Sequence, residues 1–153
     1  MKRLTLIALL GLALPAFADR MPLPANTPAS FKTECASCHL AYPPALLASK
    51  DWQTLMGGLK DHFGSDAAVD AKTAQEIGDF LSSNAGSPSK LGNAGNPPRI
   101  TQTARFVRKH DEVPAKLWRD PRVKSAANCE ACHRNAASGS FSERDLVLPE
   151  LKR

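Results

Sequence analysis

Two copies of the motif C-x-x-C-H account for all four cysteines of the chain and for two of its four histidines. The copies consist of Cys35, Cys38 and His39, and of Cys129, Cys132 and His133. Cysteines three positions apart on a helical turn lie on one side, so their sulfurs reach the two vinyl groups of one porphyrin and form thioethers. The adjacent imidazole is then aimed at the iron as an axial ligand. The motifs therefore predict two covalently attached c-type haems.

Two other interpretations of the cysteines stay open at this point. Four thiolates can bind a structural zinc ion. In an oxidising compartment, two C-x-x-C pairs can also form disulfides or redox-active dithiols. Neither interpretation requires a histidine directly after each pair, so haem attachment is favoured.

The number of histidines matches the number of axial positions on two irons. His39 and His133 are predicted to be the proximal ligands, which leaves His62 and His110 as the predicted distal ligands. Met56 falls on an apolar helix face and is expected to lie in the core. Pairing each motif with the nearer distal histidine closes the shorter loops, but the cost of a longer loop grows slowly, so a crossed pairing stays open.

Two histidines on one iron leave no open coordination position, and a second histidine gives a lower potential than a methionine does. The ligand set therefore predicts a low-potential electron carrier and not an enzyme. Two alternatives remain. One is the small dihaem electron-transfer subunit of a periplasmic reductase. The other is a haem-based ligand-binding or sensor protein in which one distal histidine leaves the iron.

The first 18 residues have the pattern of a secretory signal peptide. Two basic residues precede an apolar run at 4–14, and the A-F-A triplet at 16–18 is a cleavage site. This run of 11 residues is too short to span a bilayer, which needs about 20. We predict cleavage before Asp19, a periplasmic location, and no transmembrane segment in the mature chain.

The charge is unevenly distributed along the chain. Residues 19–98 carry 6 basic and 8 acidic side chains, whereas residues 99–153 carry 12 basic and 7 acidic ones. Acidic residues interrupt the basic runs, and the export signal argues against a nucleic-acid partner. We expect the basic half to attract an acidic redox partner instead.

The elements that must position the motifs are predicted to be short helices. Apolar periodicity and capping residues predict a helix that runs into Cys35, helices over 50–63 and 71–83, a helix capped by Thr103, and a last helix over 125–137. No alternating strand pattern of any length is present. The fold is therefore expected to be all-α, a small, loop-rich c-type cytochrome fold built around two haems.

Composition supports a thin protein core and a single domain. Aromatic residues make up 6% of the chain, and it contains 12 prolines, so two porphyrins would have to supply much of the apolar interior. We expect one dihaem domain over 19–153. Its first haem segment covers about 27–83, a turn-rich linker covers 84–98, and the second haem segment covers about 99–153.

The stretches around the motifs resemble the bacterial dihaem cytochrome c (DHC) family. The resemblance rests on residues 35–47 with their Tyr-Pro-Pro triplet, on the D-H-F-G tetrapeptide at 61–64, on residues 106–110 and on the second motif. It covers about residues 30–150. It implies a small periplasmic electron carrier with two bis-histidine haems. It further implies a membrane-bound b-type cytochrome as donor and a small oxygen-binding monohaem c-type cytochrome as acceptor.

Overall fold

The structure is a computed structural model that describes residues 19–148. The predicted signal peptide at 1–18 lies outside the described residues. Within 19–148 the regular elements are six short α-helices and six single-turn 3-10 helices, and strand pairing is limited to isolated bridges. The predicted all-α, loop-rich class is confirmed.

The helices follow one another along the chain with irregular segments between them. The α-helices are α1 (Ala29–Cys35), α2 (Ser49–Gly57), α3 (Ala71–Ser83), α4 (Pro88–Leu91), α5 (Ala104–Lys109) and α6 (Ala115–Trp118). The 3-10 helices are Pro44–Leu46, Leu59–Asp61, Ile100–Gln102, Cys129–Ala131, Ala136–Ser138 and Glu143–Asp145. In the described part of the chain, no helix has the length and hydropathy needed to cross a membrane.

The main apolar core lies in the first half of the chain, where α3 packs against α1 and α2. Phe31 of α1 and Phe80 of α3 pack against each other with ring centres 5.0 Å apart and planes tilted by 55°. Trp52 of α2 is buried beside them, and its indole N–H donates to the carbonyl oxygen of Pro44 at 2.8 Å. The buried members of this core are Phe31, Leu47, Trp52, Ile77, Phe80, Leu81 and Ala94. All of them precede the second motif.

Two helix starts occur where capping chemistry predicts them. The Asp70 side chain accepts from the backbone N–H groups of Lys72 and Thr73 at the start of α3. The Thr103 hydroxyl accepts from the N–H of Phe106 at 3.1 Å at the start of α5. Each cap satisfies donors that the first helical turn leaves unpaired and stabilises its helix by about 1 kcal/mol.

Two of the predicted helices are wrong: the first is too long and the second is absent. The helix expected over 50–63 ends at Gly57, and Gly58 is its C-cap. Each glycine costs about 1 kcal/mol in a helix relative to alanine, so the pair ends the helix. The helix expected over 125–137 is absent, and this stretch forms two 3-10 turns. It buries only Ala136, so no apolar face stabilises a longer helix there.

The stretch 84–98, predicted to be a turn-rich linker, is packed against the first half of the chain. It contains α4, and it buries Leu91 and Ala94. The N–H of Gly86 donates to the carbonyl oxygen of Leu47 at 2.9 Å. A Cβ at Gly86 would overlap the carbonyl oxygen of Ala45, so the close approach of the two backbones requires glycine here.

The segment that begins at Asp19 lies against the second half of the chain. The N–H of Met21 donates to the carbonyl oxygen of Gly139 at 2.7 Å, and the N–H of Phe141 donates to that of Asp19 at 2.9 Å. The Asp19 carboxylate also faces Arg105 and Lys109 of α5, at 3.7 and 3.3 Å. The start of the described chain thus packs beside the second motif.

Candidate functional site

The first motif begins at the end of α1. Cys35 is the last residue of that helix and packs against the edge of the core, whereas Cys38 is exposed. Burial, together with the neighbouring Glu34, raises the pKa of Cys35 to about 11. The Nδ1–H of His39 donates to the carbonyl oxygen of Leu40 at 2.8 Å. In the neutral imidazole this bond places the proton on Nδ1, so Nε2 is the nitrogen that can bind a metal.

His62 is held in place by its backbone. It follows the turn Leu59–Asp61, and it exchanges backbone hydrogen bonds with Ser65 at 2.8 and 3.2 Å. Phe63 and Gly64 have φ values of 55° and 92°, which close this tight turn. Burial lowers the pKa of His62, and His39 and Arg99 lower it further. The imidazole is therefore neutral at pH 7, which is the state that binds a metal.

The second motif begins with the turn Cys129–Ala131 and continues in irregular backbone. Burial is the main cause that raises the pKa of Cys129 to about 11 and also raises that of Cys132. The N–H of Val147 donates to the carbonyl oxygen of Cys132 at 3.0 Å. His133 forms a backbone bridge with Leu146. Burial and His110 lower the pKa of His133, so its imidazole is also neutral.

His110 follows directly after α5, which orients its ring. Its Nδ1–H donates to the carbonyl oxygen of Phe106 at 2.8 Å. The two rings stack with centres 4.0 Å apart and an interplanar angle of 18°. Trp118 of α6 lies 6.0 Å from the His110 ring. Phe106 and His110 therefore lie on one face, as predicted. Because Nδ1 bonds to the Phe106 carbonyl oxygen, Nε2 of His110 is the nitrogen that can bind a metal.

The four histidines form two close pairs. The ring centres of His39 and His62 are 6.3 Å apart, and those of His110 and His133 are 6.1 Å apart. Two imidazoles on opposite sides of one metal, each with a metal–nitrogen bond of about 2 Å, have ring centres about 6 Å apart. The fold thus brings together the local pairs, and the spacing of each pair fits one iron between two rings.

Exposed apolar side chains border both pairs. Among residues 19–148 the exposed large apolar side chains are Phe63, Val107, Leu146, Val147 and Leu148. Phe63 follows His62, Val107 lies on α5 close to His110, and the other three belong to the segment that bonds to the second motif. Apolar side chains that stay exposed beside candidate metal ligands indicate a surface that an apolar group can cover. Their position beside the imidazoles fits two flat apolar rings.

The arrangement of the cysteines does not match the two other interpretations. No disulfide joins any two of the four cysteines. Among the described residues, no three His, Cys, Asp or Glu side chains converge to hold a metal ion, whereas a structural zinc site needs four ligands in one place. The raised thiol pKa values of Cys35 and Cys129 also differ from the low values of reactive dithiols.

Two side chains beside the first motif were missed by sequence reasoning. The ring of Tyr42 stacks on His39 with centres 4.8 Å apart. The guanidinium of Arg99 lies 3.8 Å from the centre of the Phe63 ring, next to His62. Both contacts depend on how the loops fold, so the spacing of residues along the sequence does not predict them.

A helical, loop-rich chain with two haem-attachment motifs belongs to the small c-type cytochromes. Residues 31–141 match the sequence family described as Dihaem cytochrome c. The chain therefore belongs to the dihaem cytochrome c family, and it is an electron-transfer protein that carries two c-type haems. No curated protein sequence matches it significantly.

Solved structures of similar proteins support this assignment. DHC purified from Rhodobacter sphaeroides is 40% identical and has a TM-score of 0.66, over 75% of this chain and 97% of that chain. A dihaem cytochrome c from Shewanella baltica OS155 is 35% identical with a TM-score of 0.70, over 79% of this chain and 92% of that chain. A second Rhodobacter sphaeroides dihaem cytochrome c structure is 39% identical with a TM-score of 0.66, over 76% of this chain and 98% of that chain.

Proposed function

We propose that the chain is a periplasmic, low-potential electron carrier in which each haem iron lies between two histidines. The observation that carries this proposal is the spacing of the two histidine pairs, 6.3 and 6.1 Å between ring centres. We call the two sites the first and second haem sites. The first consists of Cys35, Cys38, His39 and His62, and the second of Cys129, Cys132, His133 and His110.

Each residue type has a separate role in this proposal. The cysteines attach the porphyrins through thioethers, and His39 and His133 are the proximal ligands. His62 and His110 are the distal ligands. When bound, each haem supplies reversible exchange of one electron. The chain supplies fixed ligands, since the carbonyl oxygens that accept from His39 and His110 hold those rings in one tautomer and orientation.

The same ligand set supports a carrier and not an enzyme. A coordination sphere filled by two histidines and a porphyrin has no position for a substrate. A second histidine in place of a methionine also keeps the potential low. We therefore expect the protein to take an electron from one partner and to pass it to another without chemical change of a substrate.

We further propose export, with cleavage before Asp19, and one dihaem domain over 19–153. Attachment of c-type haem outside the cytoplasm and the A-F-A triplet at 16–18 support export. The contacts of Asp19 and Met21 with the second half of the chain, and the packing of stretch 84–98 on the first, support a single domain.

The first test is a count of covalent haems. Intact mass spectrometry of the secreted protein should give the chain from Asp19 plus two haem masses, and acid acetone should extract neither haem. The pyridine haemochrome of the same sample should give two haems per chain. A mass that corresponds to one haem or none would refute the proposal that the chain carries two covalent haems.

The partners are proposed from the family resemblance and from charge. We propose a membrane b-type cytochrome as donor and a small monohaem c-type cytochrome as acceptor. The second half contains 12 basic and 7 acidic residues, which supports docking of an acidic partner near the second haem site. Two of its cations, Arg105 and Lys109, lie close to Asp19, so their charge is partly balanced within the chain.

A charge-reversal experiment tests the docking surface. Arg108 lies on α5, shortly before His110, and Arg119 directly follows Trp118, the last residue of α6. Both arginines are exposed. In Arg108→Glu with Arg119→Glu, the stopped-flow rate with a monohaem cytochrome acceptor should fall roughly ten-fold at low salt. The difference in rate between the variant and the wild type should shrink as salt is added, because charges are screened over about 8–10 Å at 0.1–0.15 M salt.

Lys72→Glu is the matched control for charge reversal. Lys72 is exposed on α3, which packs against α1 and α2 of the first half, and its reversal should leave the rate within error of the wild type. A double variant no slower than this control would show that the acceptor docks elsewhere.

A ligand-binding function at the first haem site is the second candidate. In the part of the chain that the structure describes, no hydrogen bond holds the His62 ring, whereas His110 bonds to Phe106. His62 also borders a cleft of about 240 Å³. The ferrous–CO spectrum separates the two functions, since a carrier with two fixed histidines should bind little or no CO.

A further inference from the structure

Tyr42, the single tyrosine of the chain, contacts both haem-binding segments. Its ring stacks on the imidazole of His39, with centres 4.8 Å apart and an interplanar angle of 26°. Its hydroxyl donates a 2.6 Å hydrogen bond to the carbonyl oxygen of Ala127. His39 belongs to the first motif, and Ala127 lies two residues before Cys129 of the second. One side chain therefore connects a predicted iron ligand of one site with the cysteine turn of the other.

The Ala127 carbonyl group is part of the turn that positions the second motif. Its oxygen also accepts from the backbone N–H of Cys129 at 3.0 Å, and it lies 3.6 Å from the Cys129 sulfur. The Tyr42 hydroxyl therefore bonds to the same carbonyl oxygen that holds Cys129, the residue expected to form a thioether. Burial raises the pKa of Tyr42 above its usual value, so the hydroxyl remains a donor at neutral pH.

The other side of Tyr42 is fixed by the main core. Two residues after it, the carbonyl oxygen of Pro44 accepts from the buried indole of Trp52 at 2.8 Å. The Tyr42 ring itself packs against the edge of the same core. Movement of the Ala127 turn relative to the first half would therefore break the Tyr42 hydrogen bond.

The two motifs also face a common cleft. It has a volume of about 450 Å³, and its lining includes Cys38 and His39 of the first motif with Glu130 of the second. The haem-binding segments thus adjoin each other. The Tyr42 ring stacks on His39, which lines this cleft.

We propose that Tyr42 is a positioning residue that sets the geometry between the two haems and thereby the rate of electron exchange between them. The proposal rests on the proposed function, because it takes His39 as an axial ligand. In the exchange, one electron leaves the reduced iron and enters the oxidised iron. Tyr42 neither gains nor loses an electron or a proton.

The variant Tyr42→Phe isolates the hydroxyl, since it keeps the ring that stacks on His39. We expect it to retain two covalent haems and the wild-type absorption spectrum. Electron exchange between the haems, measured by flash photoreduction of the half-reduced protein, should slow by about three-fold or more, because rates of this kind depend steeply on geometry. An exchange rate equal to that of the wild type would overturn the proposal.

Ser37→Ala is the matched control. The Ser37 hydroxyl donates to the carbonyl oxygen of Glu34 at 2.8 Å and lies 3.6 Å from the Cys38 sulfur, so its hydrogen bonds stay beside the first motif. Its loss removes one hydrogen bond beside the same haem and should leave the exchange rate unchanged. If electron exchange slowed as much in Ser37→Ala as in Tyr42→Phe, the effect would not be specific to the Tyr42 hydroxyl. That result would also overturn the proposal.

A measurement on the wild-type protein needs no variant. Because Tyr42 is the single tyrosine, its ultraviolet resonance Raman doublet reports one hydroxyl, which should be a strong hydrogen-bond donor in the holoprotein. A pattern typical of a solvated phenol would overturn the proposal. The haemochrome count and the near-infrared spectrum test the proposed iron ligands separately, so failure of that assignment is recognised without reference to Tyr42.

Discussion

Replacing Cys129 and Cys132 together with alanine is expected to leave one acid-resistant haem per chain and to unfold the second half of the protein. The thioethers of the second haem site are lost, so acid acetone should extract any haem that His110 and His133 still hold. Amide hydrogen exchange should accelerate by roughly ten-fold or more across residues 104–148, which corresponds to about 1.4 kcal/mol of local stability.

The expected unfolding follows from where the apolar core lies. All buried members of the main core lie between residues 31 and 94. Within 99–148, the described part of the second half, the buried large or small apolar side chains are Leu117, Val123 and Ala136. The two α-helices in this range have six and four residues, and isolated helices shorter than about 12–15 residues are marginal in water. The haem must therefore supply the apolar interior that this half lacks.

The matched variant is Cys35→Ala with Cys38→Ala. It also removes one covalent haem, but α3 keeps its packing against α1 and α2 through Phe31, Phe80 and Trp52. Protection should therefore persist in α3 and be lost mainly around His39 and His62. Equal loss of protection over the whole chain in both variants would contradict this division and would show one cooperative unit.

Local chemistry allowed part of this fold to be predicted from the sequence. The caps at Asp70 and Thr103 depend on hydrogen bonds within three residues, so spacing alone identifies them. The C-x-x-C-H motifs are equally local. The histidine pairs were less certain, since a crossed pairing costs little extra loop entropy, and the ring separations of 6.3 and 6.1 Å favour the local one.

The features that could not be predicted depend on tertiary contacts. Tyr42 bonds to Ala127 across 85 positions of sequence, and Asp19 faces the cations of α5. Apolar periodicity overestimated the helix over 50–63, and a capping serine with a terminal glycine wrongly predicted the helix over 125–137. In this protein an apolar side chain such as Phe63 or Val107 is exposed beside a haem site, so an apolar pattern does not always mean packing against another helix.

Replacing a distal histidine with methionine is expected to raise the potential of one haem only. Axial ligands set haem potentials over a range of about 0.8 V, and methionine raises the potential relative to histidine. For His62→Met we therefore expect one of the two components of a potentiometric titration to rise by on the order of 0.1 V. The backbone bonds between His62 and Ser65 do not involve the imidazole, so the turn should persist.

His110→Met should raise the other component by a comparable or larger amount. This change also removes the hydrogen bond from Nδ1 to the carbonyl oxygen of Phe106 and the stack on the Phe106 ring, which together increase the donor strength of the imidazole and fix its plane. Two variants that raise the same component, or either one that raises both, would contradict local pairing of the ligands.

Met56 of α2, which precedes His62 along the chain, supplies the control. Met56 lies at the C-terminal end of α2 and packs against the main core, so Met56→Leu should change neither potential. In the near infrared, the native protein should lack the charge-transfer band of methionine bound to ferric haem, and each histidine variant should gain it. A native band that disappears in Met56→Leu would assign that methionine to an iron. His62 would then be a surface residue of the turn, and the first haem site would have the higher potential.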